Sequence, residues 1–133
     1  MKKLISICLL FFVFTFSCKA QSQLQQVNSV SNQLIGTWIS EDDTNWKIQF
    51  NTNGNCYWYY TNEDTEVFSY SISTTSPQCG YEVRVNTADD YYLKLTDSDN
   101  EVICYEILGV DSSTLSLSTI GLGVKYFYFN KQQ

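Results

Sequence analysis

Histidine is absent from this chain of 133 residues. That removes His-based catalytic triads, proton relays and imidazole metal sites together. Basic residues are scarce, with 8 Lys+Arg against 14 Asp+Glu. No basic stripe exists to track phosphates, which argues against nucleic acid as a partner. The longest apolar run, Leu4 to Phe16, falls short of the roughly 20 residues that a spanning helix needs. No later segment carries a helical stripe long enough to serve as a crossover between parallel strands. Gly121-Leu122-Gly123 lacks the strand-to-helix setting of a phosphate loop and reads as a hairpin turn.

What is present begins with an address. Lys2 and Lys3 precede the apolar run, so residues 1–17 read as a secretion signal. The junction Thr15-Phe16-Ser17-Cys18 resembles a bacterial lipoprotein processing site, with Phe16 departing from its strictest form. Processing there would make Cys18 the lipidated N-terminus, and each buried methylene of the acyl chains stabilises the anchor by about 0.8 kcal/mol. Ordinary secretion with cleavage near Ala20 is the simpler alternative. The implied location is the bacterial cell envelope, anchored in the outer membrane and facing the periplasm or the cell surface. Residues 18–33 are rich in Gln, Ser and Asn, a composition that buries little and reads as a flexible linker. A short docked helix through Leu24, Val27 and Val30 is the alternative, since those positions sit three apart.

From Leu34 the hydrophobic period is two, so residues 34–133 form the folded domain. Trp46, Ile48 and Phe50 alternate with polar neighbours, as do Phe68, Tyr70 and Ile72. The same alternation holds for Tyr81, Val83 and Val85, for Tyr91, Leu93 and Leu95, and for Ile103, Tyr105 and Ile107. Leu115 with Leu117 and Phe127 with Phe129 continue it. Polar turn segments such as Glu41-Asp42-Asp43, Asn53-Gly54 and Asp97-Ser98-Asp99-Asn100 separate the runs. Short strands without crossovers must pair antiparallel, mostly through hairpins. The expected fold is all-β: an antiparallel up-and-down barrel of about eight short strands, closed so that no edge is left exposed. A Greek-key sandwich is the competitor.

Leu34-Ile35-Gly36-Thr37-Trp38 carries the Gly-x-Trp pattern that opens the lipocalin fold. Trp46 to Phe50 with Asn53-Gly54, then Tyr70-Ser71-Ile72, Tyr92 to Leu95, Tyr105-Glu106-Ile107, Leu115-Ser116-Leu117 and Phe129-Asn130-Lys131 follow the meander of that fold. Over about residues 34–131 the chain resembles the small lipocalin-like lipoproteins of Bacteroidetes. The resemblance implies a structural role for Gly36 and Trp38, the indole plugging one barrel end while the glycine lets the chain pass close by. Lipocalins commonly pack an Arg of the last strand over this Trp; here that strand offers only Lys125 and Lys131.

Five cysteines divide by place. Cys8 lies in the leader and Cys18 is the lipidation candidate. A disulfide between Cys79, read as opening a strand, and Cys104, two strands later near a shared rim, is expected. Closing that span would stabilise the fold by about 3 kcal/mol on the chain-entropy model. Cys56 then remains as a buried thiol, with Cys56–Cys79 pairing as the open alternative. Three scattered Cys without His offer no zinc spacing.

Carboxylates offer little chemistry. Asp97 to Glu101 starts like a calcium loop, but Val102 and Leu108 stand where Gly and Glu are required. Aromatics are the more informative feature. All 10 Tyr and all 3 Trp follow the leader, more hydroxyl-bearing rings than a core needs. Strand parity turns Trp46, Trp58, Tyr60, Tyr70, Leu93, Tyr105 and Phe127 inward as lumen candidates. It turns Tyr57, Tyr59, Tyr126 and Tyr128 outward, as ordinary β-formers or as a patch for a partner or glycan. The leading functional expectation is a non-enzymatic, anchored binding protein holding a small hydrophobic or amphipathic ligand in the lumen, with no cofactor. The alternative is an envelope protein–protein interaction or inhibitor module that recognises partners through rim loops such as Thr61–Glu66 and Asp97–Glu101 on a filled barrel.

Overall fold

The computed structural model describes residues 21–76, 78–83, 89–121 and 123–133. Residues 1–17, expected as a secretion signal, and Cys18, Ala20 and Val85 lie outside the described residues. Eight strands follow in order: β1 Gly36–Ser40, β2 Lys47–Phe50, β3 Asn55–Tyr59, β4 Glu66–Ser73, β5 Tyr91–Thr96, β6 Val102–Val110, β7 Thr114–Thr119 and β8 Tyr126–Lys131. Each pairs with the next, and β8 returns antiparallel to β1 through Trp38↔Lys131, Ile39↔Asn130 and Ser40↔Phe129. The expected closed up-and-down barrel is therefore the fold.

Polar turn chemistry sets the hairpins. Asp97 accepts from the backbone N–H of Asp99 and Glu101 at 2.8 and 2.9 Å, so the calcium-like stretch is the tip of the β5–β6 hairpin. Asp111 closes β6–β7, accepting from the N–H of Ser113 and Thr114 at 2.7 and 2.8 Å and from both hydroxyls. These bonds favour the charged form and lower its pKa to about 2.

The run Tyr81, Val83, Val85, expected as a strand, is not one among its described residues. Gln78 and Tyr81 make an isolated bridge instead. The connection between β4 and β5 crosses the outside of the barrel as a strap, and Cys79 sits in its tight turn with φ +48° rather than opening a strand. The expected disulfide Cys79–Cys104 is present, with Cα atoms 5.9 Å apart. Cys104 lies on the outward parity of β6, so the bond pins the strap to the outer wall, not to a rim. Tyr92, on the outward parity of β5, is thereby 0% exposed.

Residues 21–34, expected as a linker with a docked helix as the alternative, form helix α1. Its docking face keeps Val30, with Val27 half-buried, but leaves Leu24 out and adds Leu34. Leu24 is 65% exposed, while Val30 and Leu34, one turn apart, join the core cluster. A polar helix with two buried anchors has little periodic signal, which is why composition alone favoured a linker.

Candidate functional site

An up-and-down barrel sends its connections alternately to two ends. Segments 51–54 and 111–113 and the described residues where the β4–β5 connection leaves β4 and enters β5 (74–76 and 89–90), together with α1, belong to one; segments 41–46, 60–65 and 97–101 and the described residues 120, 121 and 123–125 belong to the other.

The α1 end is shut by Trp38, which is fully buried. Its Nε1–H donates to the Leu34 carbonyl at 2.8 Å, satisfying one of the orphan acceptors at the helix C-terminus. Lys131 Nζ donates to the Gln33 carbonyl at 3.1 Å and lies 4.9 Å above the Trp38 ring. Of Lys125 and Lys131, it is thus Lys131 that covers the indole. Gly36 has φ +129°, and a Cβ there would lie 2.7 Å from Lys131 Cε. Glycine is required both by its backbone conformation and by the lysine stem that passes it.

Above this plug the interior is filled. Ile48, Phe50, Cys56, Leu93, Leu95, Leu115, Leu117 and Phe129 are essentially inaccessible and belong to one cluster. Burial pushes the Cys56 thiol up to about 12, which leaves it protonated and inert.

The opposite end is a mouth lined by aromatic rings. Trp46 stacks on Tyr60 at 5.8 Å and meets Trp58, Phe127 and Phe129 edge-on at 5.7, 5.4 and 5.0 Å. Tyr105 meets Phe127 at 6.1 Å. Of the lumen candidates, Trp46, Trp58, Tyr60, Tyr105 and Phe127 are therefore brought together, as packing partners of one another. Tyr70 is apart from them, edge-on to Phe50 with its hydroxyl on the Asn51 carbonyl at 3.0 Å. Leu93 is a core residue. The Nε1 atoms of Trp46 and Trp58 are buried with no hydrogen-bond partner.

Carboxylates crowd this mouth: Glu41, Asp42 and Asp43, then Glu63 and Asp64, then Asp97, Asp99 and Glu101. Partial burial and then the charges of Asp43, Glu63 and Glu66 raise the Tyr60 pKa.

The described grooves lie outside the barrel. One of about 340 Å³ runs between the strap and the outer wall and carries Val83, Leu108, Ile120 and Val124 with Tyr81 and Tyr126. Another, of about 400 Å³, lies on the outer face of β1, β2 and β3. Its polar residues Asn45 and Gln49 escaped notice in the sequence, because each by itself is an ordinary turn or strand-surface residue; Thr61 entered only as the start of the rim loop Thr61–Glu66. Among the described residues, no helix is long and apolar enough to cross a membrane.

A small closed antiparallel β-barrel with a filled lumen is the class that these features define, an architecture suited to binding. The chain belongs to a protein family of unknown function, DUF6705, whose family model matches residues 1–72, a span that takes in α1, β1–β3 and nearly all of β4. No curated protein and no solved structure matches it.

Proposed function

We propose that the protein is a non-catalytic binding module, lipid-anchored through Cys18 in the cell envelope, that recognises its partners with its outer surface and mouth loops. The observation that carries this reading is the interior: the side chains turned into the barrel pack on one another, while the grooves open to solvent lie outside it. The chain leaves the anchor at the α1 end, so the acidic mouth faces away from the membrane. A ring of like charge attracts cationic surfaces and repels anionic ones. Of the eight mouth-loop carboxylates all but the half-buried Asp97 are exposed, and the free thiol is buried and protonated, which supports a non-enzymatic role. A lipocalin-like kinship belongs to the same proposal, supported by Gly36 and Trp38 at the closed end with Lys131 over the indole.

The unpartnered indole N–H groups of Trp46 and Trp58 favour a second reading, in which a small guest with an acceptor enters between them. Mass spectrometry of organic extracts of the purified protein separates the two. The surface reading predicts no stoichiometric co-purifying molecule and no change in Trp fluorescence on adding long-chain fatty acid. A tightly held apolar molecule, released on unfolding, would establish the lumen as the site. Globomycin treatment, which blocks lipoprotein processing, tests the anchor: the precursor should accumulate, as it should in Cys18→Ser.

A further inference from the structure

Two grooves on the outer wall of the barrel differ in chemistry, and the difference points to a ligand. The strap groove presents aliphatic side chains, whereas none of the described residues lining the groove over β1–β3 is aliphatic. That groove is built by register. Thr37, Gln49 and Tyr57 stand side by side across three strands, and Lys47 stands beside Tyr59 in the next row. Side-chain alternation turns all five outward, because Trp38, Ile48 and Trp58 point in. Asn45, Tyr60 and Thr61 from the mouth loops form one wall.

The polar groups are held in place. Tyr59 donates its hydroxyl to Gln49 Oε1 at 2.8 Å, and Thr61 donates to Asn45 Oδ1 at 3.1 Å. Both amide oxygens are thus engaged, and the amide NH₂ groups have no partner among the described residues. The rings are fixed as well. Tyr57 and Tyr59 lie nearly parallel at 6.4 Å, and Tyr60 is stacked on the buried Trp46. Donors and rings that need no reordering favour a ligand by lowering the entropic cost of binding.

We propose that this face binds a neutral oligosaccharide. The flat C–H faces of sugar rings suit exposed tyrosine rings, and sugar hydroxyls accept from amide NH₂ groups while donating to hydroxyl and carbonyl oxygens. The lining carries no carboxylate and one cation, Lys47, which disfavours a strongly charged ligand. A protein partner would want an apolar centre that this groove does not have. A peptide strand cannot pair with it either, since a closed barrel has no free edge. The inference rests on the outer-surface reading above and names the ligand class for it.

The test is a titration of the purified, ¹⁵N-labelled protein with cello-, xylo-, manno- and chito-hexaose at millimolar concentration, and with a Gly/Ser/Gln peptide for comparison. At least one saccharide should shift the side-chain NH₂ signals of Asn45 and Gln49 and the amides around Tyr59. Tyr59→Ala and Gln49→Leu should each weaken that binding at least about tenfold. Tyr59→Phe, which keeps the ring, should weaken it less, and Leu108→Ser in the strap groove should leave it unchanged. Near-UV circular dichroism checks that the variants stay folded. No shift with any saccharide overturns the inference and leaves the outer-surface reading standing, as do shifts with the peptide alone. Shifts centred on Leu93 and Tyr105 overturn both.

Discussion

The two ends of the barrel are closed by different means. At the α1 end one tryptophan is buried under a helix, its N–H spent on a backbone carbonyl and its face covered by a lysine. At the mouth, rings pack edge-on and stacked, two indole N–H groups make no hydrogen bond, and eight loop carboxylates surround them. The first arrangement satisfies its polar groups and belongs to stability. The second leaves polar groups unsatisfied and like charges close together, costs that a purely structural plug would avoid. The comparison assigns the α1 end to holding the fold and the mouth, with its adjoining outer face, to meeting other molecules.

Substitution at the closed end should have the largest effect. Trp38→Ala removes the buried plug and should cost about 3–5 kcal/mol in denaturant unfolding, enough to unfold a domain of this size. Trp58→Ala at the mouth should cost clearly less, since that ring is partly exposed; equal losses would erase the distinction between the ends. Next comes the strap. Replacing Cys79 and Cys104 with Ala should cost about 2–4 kcal/mol and speed hydrogen exchange over residues 89–92, because the strap covers Tyr92. Lys131→Met should cost about 1 kcal/mol, from the lost cation–π contact and the bond to Gln33. Its signature is faster amide exchange in α1 with the strands unaffected.

Smaller still should be the stability change on neutralising the mouth. Asp43→Asn, Glu63→Gln and Glu66→Gln together should alter unfolding by less than about 0.5 kcal/mol. They should nevertheless lower the Tyr60 pKa in an ultraviolet titration, since those charges hold it up. A large destabilisation would mean that the mouth loops hold the fold together after all. Asp111, at the α1 end, gives the pH test. Its pKa is depressed to about 2 by four hydrogen bonds. The stability it contributes is therefore present above the ordinary carboxylate pKa and is lost as pH falls toward 2. Carboxyl carbon shifts followed by NMR should show Asp111 titrating near pH 2.

Much of this molecule was legible residue by residue. The closed barrel, the inward parity of Trp46, Trp58 and Tyr105, and one disulfide with one thiol left over all rest on period-two alternation and on counting; the Cys79–Cys104 pairing was expected for a shared rim, whereas Cys79 meets Cys104 from the strap on the outer wall. Two things were not. Tyr81 and Val83 alternate as a strand should, yet they lie in the strap, because the antiparallel ladder is already complete without them. Residues 21–34 look like a linker, yet two anchors and the groups at Trp38 and Lys131 are enough to dock a helix.

The amino-acid order by itself determined which side chains face in and which face out, since side-chain direction in a strand is a local property with a period of two. It also determined which connections are acidic. Only the tertiary structure decided that the three acidic connections 41–43, 63–64 and 97–101 share the mouth, that Lys131 covers Trp38 from 93 residues away, and that Asn45, Gln49, Tyr59 and Thr61 line one groove. These are consequences of register and closure, which bring together residues that no sequence window contains.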